Sequence, residues 1–330
     1  MDLKTTYLGI RLPHPLVVGS GPLGDDLDVV KKLEDAGAAA IVLRSLYEEE
    51  ITGEQINTFL HTESYGDSSA EAGSYFPDPE SALGPDEYLE HLRRVKSTVK
   101  IPVFASLNGS TLGSWVSYAH LLEQAGADAL ELNIHHPASD PTMSAAEVER
   151  LAVDVVREVK RGLRIPVAVK LSPMLTAFAH FAMQLDNAGV DGFVLFTRFH
   201  DVDIDVYELE VIRVMKLSES SELQLRLRGT AALAGRVKAS LAITGGVHTA
   251  LDVVKGTMAG AHITQMVSAL LRNGPGYLRD VRTDLEKWLE KNEWNSLGEM
   301  RGNMSLERIP DPGRYERQNL RMMLRSQVPG

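Results

Sequence analysis

The sequence predicts a (β/α)8 TIM barrel with an N-terminal strand hairpin and a C-terminal helical extension. Three observations lead there. First, one phrase recurs four times: a helix ending in Ala-Gly, two or three residues, then an apolar run, at Ala36-Gly37, Ala125-Gly126, Ala188-Gly189 and Ala259-Gly260. Glycine just past a helix end takes the left-handed backbone that stops the helix, and a continuous apolar run after it reads as a strand buried on both faces. Second, four more short apolar runs lie between these copies, two of them entered through Ile-Pro. Third, the eight runs alternate with helix-like amphipathic segments over about 250 residues, the usual length of this fold. A doubly wound open sheet is the alternative, and it gives no reason for eight units in phase.

In chain order, the first strand is Pro15–Gly19, and the helix after it stops at Ala36-Gly37 to release the second, Ala40–Arg44. Ser64 to Pro85, rich in Gly, Pro, Ser and acids, is a long insertion read as a lid over the site, since structureless loops beyond about 15 residues are usually functional lids or disordered. Strand three, Val103–Ser106, enters through Ile101-Pro102; strand four is Ala129–Asn133; strand five, Val167–Lys170, enters through Ile165-Pro166. Strand six is Phe193–Thr197, strand seven Leu241–Thr244 and strand eight His262–Met266. Residues 1–304 are read as the barrel domain. Residues 305–330 are read as a tail, with a helix over Tyr315 to Ser326 carrying Leu320, Met322, Met323 and Leu324, packed on the barrel or on a partner subunit.

The net charge of −11 argues against nucleic acid or an anionic membrane as a partner, because either would need a basic surface. The first residues lack the apolar core of a signal peptide and no apolar run is long enough to span a bilayer, so a cytoplasmic protein is expected. The chain has no cysteine, which removes disulfides, thiolate metal sites, an iron–sulfur cluster held by this chain and a cysteine base. Adjacent His135 and His136 would point to opposite faces of a strand, and no metal is proposed.

Catalytic groups in such barrels sit at the C-terminal strand ends. Gly245-Gly246 after strand seven lets backbone N–H groups approach an anion, and Val267-Ser268 opens a helix at the same place, which reads as a phosphate site; the plainer reading is a tight turn. Lys170 at the mouth needs an anionic partner: a phosphate, an enolate or the N1–C2=O edge of a reduced flavin, or else a structural ion pair with Glu131 on the neighbouring strand. Arg226 and Arg228 are read either as facing an anionic substrate or as an exposed charged face.

Leu3–Gly9, His14-Pro15-Leu16, Gly19-Ser20-Gly21, Glu131-Leu132-Asn133 with Pro137, Val169–Pro173, Thr244–Val247, Ser268-Ala269-Leu270 and Gly274-Pro275, in that order, resemble the dihydroorotate dehydrogenase family as far as about Ser305. The resemblance implies an FMN-dependent barrel oxidising dihydroorotate to orotate in pyrimidine biosynthesis. It implies Lys170 beside the flavin N1 edge, Asn133 shared by flavin and substrate, Ser20 and Gly21 bordering the ring, and Gly245, Gly246, Val267 and Ser268 around the phosphate.

Departures from the family pattern are equally specific. His136 stands where the family has its cysteine or serine base, Arg44 replaces the lysine of strand two, and Ala138 and Thr197 replace asparagines. The Asn-rich substrate loop has no clear counterpart in Glu48 to Pro85, and the glycine-rich turn after strand six is reduced to Arg228-Gly229-Thr230. Histidine suits proton removal near neutral pH, and packing over the flavin is the alternative role for His136. The cofactor half of the site thus persists and the orotate half is rebuilt. Three functions follow: a flavin oxidoreductase on dihydroorotate or a related small ring, a degenerate flavin-binding relative with a regulatory role, or a flavin-free phosphate-binding lyase or isomerase. The expected partners are a small-molecule substrate and, in a homodimer, a second copy.

Overall fold

The computed structural model describes residues 1–47, 85–109, 112–134, 140–198, 201–214 and 216–316. His136, Ala138 and nearly all of Glu48 to Pro85 lie outside these residues, as does the expected tail helix beyond Glu316.

The chain opens with an antiparallel hairpin, β1 (Thr5–Tyr7) and β2 (Ile10–Leu12), followed by β3 (Leu16–Val18), α1 (Leu27–Asp35), β4 (Ile41–Tyr47) and α2 (Pro85–Thr98). Then come β5 (Val103–Gly109), α3 (Leu112–Gln124), β6 (Ala129–Ile134), α4 (Ala145–Gly162), β7 (Val167–Leu171), α5 (Phe178–Asn187) and β8 (Gly192–Leu195). A second hairpin, β9 (Asp201–Asp205) and β10 (Glu210–Val214), precedes α6 (Leu223–Leu233), β11 (Ser240–Thr244), α7 (Ala250–Ala259), β12 (Ile263–Met266) and α8 (Ser268–Asn273). The chain continues through α9 (Tyr277–Lys291), α10 (Leu297–Met300) and α11 (Gly313–Glu316). Strands β3 to β8, β11 and β12 pair in parallel and close into an eight-stranded barrel, so the expected fold class is correct. The four repeated glycines lie at φ 90°, 98°, 97° and 123°, each ending its helix in the backbone region that side chains avoid.

The first hairpin is a floor. Tyr7, Leu8 and Leu12 pack inside the barrel's N-terminal end among Val17, Val42, Phe104 and Ile263, where Ala129, Ala168 and Ala242 leave room for the Tyr7 and Phe104 rings, 6.3 Å apart. A Cβ on Gly192 would lie 2.5 Å from Leu8 Cδ2, so the start of β8 must be glycine for the hairpin to seat. Leu8 N–H donates to Ser240 Oγ at 3.0 Å and Thr5 Oγ1 donates to the His262 carbonyl at 2.8 Å, tying the floor to β11 and β12.

Three local expectations change. Strand six stops at Leu195, two residues early, and Thr197 is held instead by its N–H donating to the Leu171 carbonyl at 2.8 Å. Arg228-Gly229-Thr230 is no turn but the middle of α6, where Gly229 admits the Phe196 ring within 2.5 Å of where its Cβ would stand. The β9–β10 hairpin was not expected, and it stands out from the barrel with Val202, Ile204 and Val211 each more than 60% exposed.

Candidate functional site

The barrel interior changes character from floor to mouth. Above the apolar plug, Glu131 on β6 accepts from Gln265 Nε2 on β12 at 2.8 Å, and its other oxygen meets Lys170 Nζ on β7 at 3.1 Å. Glu131 is 3% exposed and Lys170 9%, so the ammonium is a nearly buried charge whose partner is also buried. The plainer reading of Lys170 is therefore present as an ion pair, on a side chain that also faces the mouth layer. Gln265 Oε1 has no hydrogen-bond partner among the described residues, and the Tyr7 phenol below is held neutral, its pKa raised first by burial and then by the Glu131 charge.

Asn133 pairs with Lys170 in register across β6 and β7, which places both on one layer at the C-terminal end. Thr197 Oγ1 donates to Asn133 Oδ1 at 2.7 Å, and both side chains are buried. Strands four, five and six thus bring three of the expected residues together.

Ser20 and Gly21 end β3 against β12 and the turn after it: a Cβ on Gly21 would meet Val267 Cγ1 at 2.9 Å. Gly245 and Gly246 follow β11 at φ 82° and 78°, consecutive residues in the left-handed backbone that glycine adopts without strain. Ser268 opens α8 beside them. Ser218 links the two: its N–H donates to Ser268 Oγ at 3.0 Å and its Oγ accepts from Gly246 N–H at 3.2 Å.

Arg226 is buried at 6% exposure in α6, whereas Arg228 on the same helix is exposed, so the two readings of that pair divide between them. Arg226 Nε donates to the Thr244 carbonyl at 3.1 Å and Nη1 to the Glu222 carbonyl at 2.9 Å, while Nη2 makes no hydrogen bond among the described residues and lies 2.9 Å from where a Gly245 Cβ would be. Burial lowers its pKa, partly offset by the Glu222 carboxylate, which Arg198 also contacts at 3.3 Å. A helix-face pattern alone does not tell which of Arg226 and Arg228 turns inward; Ser218 and Gln265 carried no sequence signal.

Arg44 contacts other residues as well. Its Nε is 3.5 Å from Asp25 Oδ1, and its guanidinium lies 5.8 Å from the centre of the Tyr88 ring, whose hydroxyl donates to the Arg44 carbonyl at 2.8 Å. These contacts hold the arginine between the segment before α1 and the first turns of α2.

The chain matches the family model described as "Dihydroorotate dehydrogenase" over residues 2–289. It is 28% identical to the "Dihydroorotate dehydrogenase B (NAD(+)), catalytic subunit" of Thermoplasma acidophilum, across 91% of this chain and 98% of that one. It is 29% identical to a "Putative dihydroorotate dehydrogenase A (fumarate)" of Aeropyrum pernix, across 91% and 97%. It is 24% identical to the "NAD-dependent dihydropyrimidine dehydrogenase subunit PreA" of Escherichia coli, across 94% and 78%.

Proposed function

The chain belongs to the dihydroorotate dehydrogenase family, and on that premise we propose that it is an oxidoreductase that binds FMN at the barrel mouth and oxidises a CH–CH bond of a small dihydropyrimidine ring, dihydroorotate or a relative of it. The observation that carries this reading is the shared layer of Asn133 and the nearly buried Lys170, closed by Thr197. The donor set fits the cofactor. Two left-handed glycines, the Ser218 and Ser268 hydroxyls and the unbonded Arg226 Nη2 form a phosphate-seeking group, in which an arriving phosphate oxygen displaces or joins Ser218 Oγ as acceptor for Gly246 N–H.

When bound, FMN supplies the two-electron acceptor for the ring's CH–CH bond. Lys170 sets a fixed positive charge where negative charge develops, at the cost of weakening its pair with Glu131, and Asn133 orients the substrate ring from the same layer. The imidazole of His136 takes the proton that leaves the substrate ring, the other hydrogen with its electron pair being what the bound flavin would accept. The altered positions Arg44, Ala138 and Thr197 favour a substrate that differs from dihydroorotate in its polar groups.

The test is purification and anaerobic titration. The protein should carry or take up about one FMN per chain, and dihydroorotate and other dihydropyrimidines are then tried for flavin bleaching. Colourless protein without flavin quenching would falsify the cofactor reading. Lys170→Ala should slow flavin reduction far more than it weakens flavin binding, because the charge it meets develops on reduction; an unchanged reduction rate counts against its role. A homodimer is also proposed. Val202, Ile204 and Val211 share one face of the exposed β9–β10 hairpin, and Ile204→Lys should shift the sedimentation coefficient towards the monomer if that face is the contact.

A further inference from the structure

At the barrel end opposite the candidate site, a cleft of about 480 Å³ lies against the β1–β2 hairpin, the start of β11 and the segment after α10. Its walls carry Lys4, Arg11, Lys238 and Arg301 against one carboxylate, Asp191. That carboxylate is already engaged: its Oδ2 accepts from Lys160 Nζ at 2.5 Å and from the Val167 N–H at 2.7 Å. No carboxylate pairs with any of the four cations among the described residues. In a chain of net charge −11, four cations around one cleft, none with a carboxylate partner among the described residues, make a local site for an anion.

Arg301 is the deepest of the four. Its Nη2 donates to Thr5 Oγ1 at 2.8 Å, and Thr5 passes the connection to the His262 carbonyl. Its Nε is buried without an acceptor among the described residues, so that nitrogen has lost its solvation unreplaced, and burial also lowers the pKa of the group. His262 adds a neutral donor. Its Nδ1 accepts the Leu241 N–H at 2.9 Å, which assigns the ring proton to Nε2. A smaller adjoining cleft of about 180 Å³ shares Arg301 and His262; Ala234, Val237, Ala239 and Leu241 form its apolar side, and Ser305, Glu307 and Arg308 its polar side.

We propose that this cleft binds a phosphate monoester, its phosphate gripped by the Arg301 and Arg11 guanidinium groups with Lys4 and Lys238 as further counter-charges, and its organic body against the apolar wall beside His262. Guanidinium forks match phosphate geometry, and the main cleft falls within the roughly 300–1,000 Å³ of small-molecule sites, far larger than an inorganic ion requires.

The test is calorimetric titration of the full chain loaded with one FMN, which occupies the phosphate-seeking turn at the mouth, and then freed of excess flavin, since FMN is itself a phosphate monoester. The probes are inorganic phosphate, adenosine monophosphate and glucose 6-phosphate. At least one ester should bind at one site per chain, more tightly than inorganic phosphate. In the Arg11→Gln/Lys238→Gln double variant, whose altered side chains are exposed, its affinity should fall about tenfold or more, since two charged donors to the phosphate are lost. Arg301→Gln should abolish it. Absence of binding by both esters at millimolar concentration overturns the proposal, as does undiminished affinity in the double variant or equal affinity for phosphate and ester. The proposal does not rest on the flavin reading: if FMN fails to bind, the same titration with Ser268→Glu, which places negative charge at the mouth, keeps the two ends apart.

Discussion

The Lys170–Glu131 pair offers the most direct check on the interior. Glu131→Gln keeps the shape of the side chain and a group that can face Gln265, and removes only the charge at 3.1 Å from the ammonium. At an effective dielectric near 20 the lost attraction is about 5 kcal/mol before desolvation is counted. Both groups are nearly buried, so solvent screens little of it. Leaving one buried charge unpaired should cost about 3–5 kcal/mol of stability. Lys170→Met strands the carboxylate in the same way, whereas the double variant buries no charge and should be less destabilised than the sum of the two. Urea denaturation of all four proteins without flavin should give a coupling of about 2–3 kcal/mol. Additivity within about 0.5 kcal/mol would show that the ammonium draws its support from elsewhere, and the argument that it is a fixed charge aimed at the mouth would fail.

Three other outcomes are expected. If His136 is the base, flavin reduction by the true substrate should rise with pH through the histidine range, and His136→Ala should cost about 10²–10⁴-fold and flatten the profile; a profile of the same shape in the variant removes the assignment. Orotate should bind far more weakly than to a full family site, since several hydrogen-bonding positions are altered at about 0.5–1.5 kcal/mol each, and micromolar binding by calorimetry would contradict this. His262 has its pKa lowered from 6.5 to about 4, by burial first and the Arg301 charge second. Its folded value lies below its unfolded value, so the stability it contributes is full above pH 6.5 and is lost as pH falls towards 4, by about 3 kcal/mol. His262→Asn should make that part of the pH–stability curve shallower, leaving the share of His14, whose pKa burial also lowers to about 4, and an unaltered slope would refute the shift.

Much of the fold is legible because its signals are local. A glycine that must be left-handed and an apolar run that must be buried declare themselves within a few residues, which is why Gly37, Gly126, Gly189 and Gly260 mark four strands correctly. The β9–β10 hairpin is legible in the same way, since Asp201-Val-Asp-Ile-Asp205 alternates with the period of a strand, but its apolar side faces outward and so lacks the link to a core that marks the barrel strands. The site is legible only where chemistry sits at a strand end, as at Asn133 and Lys170. Gln265 needs the register around a closed barrel to meet Glu131, and Arg226 needs the rotation of α6 to turn inward while Arg228 turns out. Neither quantity is written in neighbouring residues.

The floor built by Tyr7, Leu8 and Leu12 turns a bore into a cup. A cup has one doorway. A reactant that delivers electrons at the mouth and a diffusible one that collects them must use that doorway in turn, so the product of the first has to depart before the second arrives. If the proposed redox site lies at that mouth, initial-rate plots for two such reactants should run parallel, and an acceptor that avoids the queue has to receive its electrons through the barrel wall without ever entering.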